Sequence, residues 1–238
     1  MSAKTAAEVK ARLLDLTTGV LELVRDGNRD AESVCEVFQT IKDDPLFASR
    51  FFSDISSRLQ DWQSFYKKLF GLDTDFSSVR IPERKSGFDR LLIIAQGFTP
   101  NRVYDACSPQ NFACWRYVDD LDASVTHNDR VPTEHYAIWV RDRQEADEEL
   151  KNISANDLQK KKINCITLLE RMVFDLKYWS ETGRHLDVKN ITLCTGSRFQ
   201  DGFVPRVYWG GYSSRVSVCY YSPGSSSDGL RSREIVSF

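Results

Sequence analysis

The apolar pattern of this chain changes period near residue 90, and that change constrains the fold more than any other feature. Before it, apolar residues recur every three or four positions, the spacing of a helix with one buried stripe. After it, short β-branched and aromatic runs alternate with helical stretches, and the last 49 residues read as strands joined by turns. The chain therefore reads as α+β: an N-terminal helical segment, then an α/β part ending in an antiparallel β-meander.

Three helices are expected over residues 3–70. The first carries Val9, Leu13, Leu16, Val20, Leu23 and Val24, with Gly27-Asn28 placed to end it. The second carries Ala31, Val34, Cys35, Phe38 and Ile41, with Asp30 as N-cap and Asp43-Asp44-Pro45 as its stop. The third carries Phe51, Phe52, Ile55, Leu59, Trp62, Tyr66 and Leu69, and Gly71 terminates it. Residues 71–89 are polar, turn-rich and aperiodic, which suits a connector. The expected division is thus 1–70 helical segment, 71–89 connector and 90–238 α+β domain.

Within the last part, Leu91–Ala95 is a continuous apolar run, as in a strand covered on both faces. Thr99-Pro100 starts a short helix, closed by Ser108-Pro109. Residues 112–117 and 135–140 read as strands, and 119–134 as loop. Helices are expected over 144–151, after Ser154, and from the capping box Thr167-Leu-Leu-Glu170 to Gly183. Strands 191–194, 204–209 and 216–221 form the meander, with 230–236 returning as an edge strand or short helix.

The inventory excludes several function classes. Among 238 residues there are 32 Lys+Arg and 34 Asp+Glu, a net charge of −2, so no bulk positive field attracts phosphates. No apolar run approaches the roughly 18–20 residues that span a bilayer, and the N-terminus lacks the apolar core of a secretion signal. A cytoplasmic protein without membrane contact is expected. Dinucleotide-binding, P-loop and nucleophile-elbow motifs are missing. The six cysteines form no CxxC pair and read as reduced, buried small hydrophobes, with Cys107 and Cys114 the only close spacing. No cofactor is implied.

Charge is uneven. Residues 81–150 hold 8 basic and 13 acidic side chains, 8 − 13 = −5, and residues 151–238 hold 13 and 8, 13 − 8 = +5. The acidic cluster Asp119, Asp120, Asp122 and Asp142 lies at expected strand ends, where a divalent cation could draw oxygen ligands from separate segments. The spacing matches no motif, and a polar loop full of Asp is ordinarily just solvated.

Every positive charge after residue 189 is Arg, namely Arg198, Arg206, Arg215, Arg231 and Arg233, interleaved with Tyr208, Trp209, Tyr212, Tyr220 and Tyr221. Arg beside Tyr and Trp is the composition of binding hot spots and of single-strand platforms. The residues selected for a ligand are Arg198 and Asp201 on a loop after a strand, Trp209, and the pair Arg231 and Arg233, which an extended chain points the same way. The competing reading is that Arg231 and Arg233 pair with acids such as Asp142 or Asp201 and tie the C-terminus down.

Residues 90–238 resemble a family of uncharacterised bacterial proteins. The resemblance rests on Tyr136-Ala-Ile-Trp-Val-Arg-Asp142, Glu145-Ala-Asp-Glu-Glu-Leu-Lys-Asn152, Ser154-Ala-Asn156, Ile166-Thr-Leu-Leu-Glu-Arg171, Ile191-Thr-Leu-Cys194, Gly196-Ser-Arg198, Asp201-Gly202, Val204-Pro205 and Leu230-Arg-Ser-Arg-Glu234. It implies no activity. The expected function is a non-catalytic binding or protein-interaction protein using the Arg/aromatic surface of the meander. Its partner would be another protein or a small anionic ligand; nucleic acid is disfavoured by net charge. The alternative is a metal-dependent enzyme acting on a phosphorylated or nucleic-acid substrate through the four aspartates.

Overall fold

A computed structural model describes residues 6–43, 55–107 and 112–238. The expected features at Asp44-Pro45, Phe51, Phe52 and Ser108-Pro109 lie outside the described residues. The chain divides into two compact units, Met1–Ser53 and Asp54–Phe238. The third helix and the 71–89 stretch therefore belong with the α+β body, and the units do not divide at residue 70 as the periodicity suggested.

In the first unit, α1 spans Ala6–Arg25 and α2 spans Ala31–Asp43. Gly27 takes φ 72°, and the amides of Gly27 and Asn28 bond back to Val24 and Leu23 carbonyls, closing α1. Asp30 accepts from the Ser33 amide at 2.7 Å, the N-cap bond expected of it. Leu13, Leu14, Leu16 and Leu21 are exposed.

The second unit opens with α3 (Ile55–Phe70), and its aromatic load explains why it packs on this unit. Trp62, Phe65 and Tyr66 are buried beside Phe76 and Phe98. Trp62 Nε1 donates to the Leu91 carbonyl at 3.2 Å, and Tyr66 Oη donates to the Ile93 carbonyl at 2.8 Å. Those carbonyls lie on β1 (Arg90–Ile94), an edge strand. The helix thus satisfies the open side of a sheet edge that water or another chain would otherwise occupy. All five β1 residues are buried, as a strand covered on both faces requires.

A short helix, α4 (Pro100–Asp105), follows, capped by Thr99 with Pro at its first position. Next come β2 (Cys114–Arg116), the single turn α5 (Leu121–Ser124), β3 (His127–Asn128) and β4 (Tyr136–Val140). Residues 119–134 are therefore not all loop. The expected helix over 144–151 reduces to one 3₁₀ turn, Glu148–Leu150. Tertiary partners override its helical pattern. Glu145 accepts from the Lys189 and Asn190 amides, and Asp147 accepts from Arg141 and the Glu234 amide.

Helix α6 (Ala155–Lys160) starts at the Ser154 cap, and α7 (Leu168–Thr182) at the Thr167/Glu170 capping box. Gly183, at φ 68°, ends α7. The α7 residues from Leu168 to Tyr178 are all buried, so its charged side chains need buried partners. Glu170 meets Arg130 and Tyr136, Arg171 meets Asp175 and Asp187, and Lys177 meets Asp61 and Glu181.

The remaining strands are β5 (Ile191–Leu193), β6 (Ser197–Arg198), β7 (Val204–Gly210), β8 (Arg215–Tyr221), β9 (Leu230–Arg231) and β10 (Ile235–Val236). One sheet has the order β1-β4-β10, a second β2-β8-β7-β5-β9, and β3 pairs with β6. The fold is α+β, with helices beside mixed sheets. The meander β5-β7-β8 is antiparallel, and β2 and β9 flank it in parallel.

The cysteines divide. Cys165 and Cys194 are buried thiols, as expected, and Cys219 is a half-buried one. Cys107 and Cys114 are instead joined as a disulfide, and Cys35 is exposed. The seven-residue separation permits the bridge, because α4 ends just before Cys107 and β2 begins at Cys114. Among the described residues no helix is long and apolar enough to cross a membrane.

Candidate functional site

The five-stranded sheet has two faces of different chemistry. Val207, Trp209, Val216, Val218 and Tyr220 alternate onto the face that packs on the main core. The other face carries Arg206, Tyr208, Arg215, Ser217, Cys219 and Tyr221, and Trp115 joins it opposite Ser217. At one end Ala155 of α6 covers this face, packing with Leu193, Val204 and Leu230. The rest is half-buried, except for buried Ser217.

On that remainder the two guanidiniums lie over rings. Arg206 sits 5.5 Å from the Tyr208 ring centroid and 4.9 Å from that of Tyr221. Arg215 sits 5.1 Å from the Trp115 centroid. The ring quadrupole attracts each cation and favours its place over the ring. Neither guanidinium pairs with a carboxylate among the described residues, and the Nε of each is buried without a hydrogen-bond partner. No strand residue on this face is acidic. Alternation could have selected Arg206 and Arg215 from the sequence, since each shares its strand parity with a Tyr.

The residues that the sequence marks for a ligand do not form one site. Arg233 is buried and donates to Asp187 Oδ1 at 2.6 Å and to the carbonyls of Arg143 and Gln144. Arg231 pairs with Glu148 at 2.5 Å and reaches the Ala146 carbonyl. Both do point the same way, but toward the 143–148 segment, which they tie to the C-terminus. Their acidic partners are Asp187 and Glu148, not Asp142 or Asp201. Trp209 stacks face to face on His185, centroids 3.8 Å apart, and packs against the core. Asp201 is exposed and accepts from the Phe203 amide. Arg198 stands in a separate cleft, beside His127 and Lys162.

The four aspartates also go separate ways. Asp120 caps α5 and, with Asp122, binds Asn101, whose Oδ1 in turn accepts from Arg116. Asp142 pairs with Arg90 at 3.2 Å, and Asp119 is exposed. Among the described residues no three His, Cys, Asp or Glu side chains are grouped to hold a metal ion.

Buried charge is concentrated around α7. Arg171, Asp175, Asp187 and Arg233 are all buried, and two arginines against two aspartates leave the cluster neutral. Burial pushes the Asp175 carboxyl up, but Arg171 and His185 outweigh it and hold it below the usual carboxylate range. The arrangement cross-links segments far apart in sequence and offers no open position to a substrate.

No family model matches the chain, and no curated protein or solved structure matches it.

Proposed function

We propose that this is a non-catalytic binding protein whose Arg206/Arg215 sheet face docks an acidic segment of a partner protein. The observation that carries the reading is the pair of ring-stacked guanidiniums without carboxylates, on a face free of acidic strand residues. Pre-positioned Arg beside Tyr and Trp is how hot spots concentrate binding energy, because the planar donor loses little freedom when it meets a carboxylate. A protein partner suits this face better than nucleic acid. Two cations neutralise only two phosphates, whereas tight non-specific binding rests on about 6–10 such contacts. A cytosolic setting belongs to the same proposal, supported by four free thiols against one disulfide.

The test is fluorescence anisotropy of a labelled oligoglutamate peptide and a labelled oligothymidylate against the full chain. The expected result is saturable peptide binding, weakened about tenfold or more by the double change Arg206→Ala and Arg215→Ala, with little change in melting temperature. Tighter binding of the oligonucleotide, with a steep salt dependence, would transfer the face to nucleic acid. Binding of neither probe would remove the proposal.

A further inference from the structure

The Arg198 cleft stands apart from the sheet face in composition and in place. It is a cavity of about 300 Å³ between the β3-β6 ribbon and the turn after α6. That is the lower end of the range for small-ligand pockets. His127 and Arg198 are direct partners across the ribbon, so their side chains share one face. Lys162, in a left-handed turn at φ 54°, brings a third basic side chain to the rim. Asn164 and Thr195 add an amide and a hydroxyl. The acidic group lining the cleft is Asp129, exposed and 3.4 Å from His127 Nε2.

Arg198 shares with Arg206 and Arg215 a half-buried guanidinium without a carboxylate, and six other buried or half-buried arginines of this unit differ from it. Arg90, Arg130, Arg141, Arg171, Arg231 and Arg233 each meet a carboxylate. Arg198 donates only from Nη1, to the carbonyls of Thr195 and Ser197 at 2.6 and 2.8 Å, and has no carboxylate partner among the described residues. Those two bonds fix the guanidinium plane and leave Nε and Nη2 without a protein acceptor. Burial lowers the Arg198 pKa, and Asp129 only partly offsets this. Neither free nitrogen is shut off from solvent, so an anion can replace water on a cation already held in a fixed plane.

We propose that this cleft binds a phosphate-type oxyanion, with Arg198 as its planar donor pair, Lys162 as a point charge and Thr195 and Asn164 completing the hydrogen bonds. The cavity accommodates inorganic phosphate or the phosphate end of a small monoester. One exposed carboxylate against Arg198 and Lys162 argues against a cation. The site is independent of the sheet face, which lies on different strands.

The experiment is calorimetric titration of the full chain with inorganic phosphate, glycerol phosphate and succinate in turn, with thermal shift as a second readout. Either phosphate compound should bind and raise the melting temperature, since a ligand of the native state stabilises by mass action. Tighter binding of glycerol phosphate would assign a monoester, and tighter binding of inorganic phosphate the free ion. Arg198→Gln and, separately, Lys162→Gln should each weaken binding about tenfold, the loss of one charge-assisted contact. Lys162 is exposed, so its variant tests the site even if Arg198→Gln disturbs folding. Arg206→Ala with Arg215→Ala should leave phosphate binding unchanged. No binding of either phosphate compound at about 100 times a micromolar-range constant would overturn the proposal. So would a preference for succinate, or binding by both single variants as tight as that of the parent protein.

Discussion

Arg233 donates to Asp187 across 46 positions of sequence, Nη2 to Oδ1 at 2.6 Å, with both side chains buried. The other Asp187 oxygen accepts from Arg171 at 2.7 Å and from the Thr192 hydroxyl. One carboxylate therefore holds together α7, β5 and the segment between β9 and β10. Arg231, two residues earlier, pairs with Glu148, whose side chain is 62% exposed. The two arginines should respond very differently to removal. Arg233→Met should cost about 3–5 kcal/mol, because it leaves one oxygen of buried Asp187 without its partner and the cluster one charge short of neutral. Arg231→Met should cost less, about 1 kcal/mol, because the Glu148 carboxylate it leaves behind stays in water. Urea unfolding of both variants measures the difference, and equal costs would contradict this account of the cluster.

Acid should unfold the protein through carboxylates that the fold holds ionised. Burial pushes both Asp175 and Glu181 up, but Arg171 and His185 in the first case, and Arg90 and Lys177 in the second, bring them below their ordinary values. A depressed folded-state pKa contributes stability that is fully present above the unfolded value, about 3.9 for Asp and 4.3 for Glu. It is lost as pH falls through the lower, folded value. Asp147 has the opposite sign: burial raises it, and the Glu234 amide and Arg141 offset this only in part, so its ionisation opposes folding near neutrality. Melting temperature should therefore hold between pH 7 and 5 and drop below about pH 4. The double change Asp175→Asn and Glu181→Gln should shrink that drop. An unchanged acid limb in the variant would show that other carboxylates carry it.

The phenol of Tyr66 serves two backbone groups of the β1 edge, donating to the Ile93 carbonyl at 2.8 Å and receiving the Ala95 amide at 3.3 Å. Tyr66→Phe keeps the ring among Phe70, Phe76 and Phe98 and removes only the hydroxyl. The expected cost is about 1–3 kcal/mol, the penalty of leaving buried polar groups unpaired. Hydrogen exchange should accelerate at the Ala95 amide more than at Leu92. Uniform acceleration along β1 would mean that the hydroxyl has no local role.

Local chemistry was legible in the sequence wherever one segment decides its own structure. Thr167 with Glu170, Thr99 with Pro100, Asp30, Gly27 and Gly183 act as caps and stops where their types require. The strands at 136–140, 204–210 and 215–221 follow their β-branched and aromatic runs. Pairings between distant segments were not legible. The helical pattern of 144–151 gives way because Glu145 and Asp147 are claimed by residues 44 and 87 positions away. The sequence offers both a surface and a tie-down for Arg231 and Arg233, but it does not reveal that Glu148 and Asp187 are their partners or that His185 lies against Trp209. The Arg/aromatic composition marks β7 and β8, the strands that carry Arg206 and Arg215. Strand parity separates Arg206 and Arg215 from Trp209, which faces the core.

Gly196 should tolerate no side chain. Its amide donates to the Ile166 carbonyl, and its own carbonyl accepts from the Asp129 amide, so the loop between β5 and β6 lies against two other segments. A Cβ built on it would meet the Cys165 carbonyl oxygen at 2.6 Å and the Ile166 carbonyl oxygen at 3.1 Å. Both atoms are backbone, held just before the α7 capping box, and cannot swing aside as a flexible side chain would. Gly196→Ala should therefore cost about 1–3 kcal/mol, the range for overpacking a close contact. The displacement would also reach Arg198, whose guanidinium is fixed by the Thr195 and Ser197 carbonyls on either side of this glycine. The variant should lose stability in urea and bind phosphate more weakly. Gly202→Ala is the control, because nothing lies within 4 Å of its built Cβ and its only penalty is the left-handed φ of 83°. Gly202→Ala should destabilise by about 1 kcal/mol or somewhat more, and the remaining fold should bind phosphate as the parent does. Equal loss of binding in both variants would mean that general loosening, not the Cys165 contact, governs the cleft.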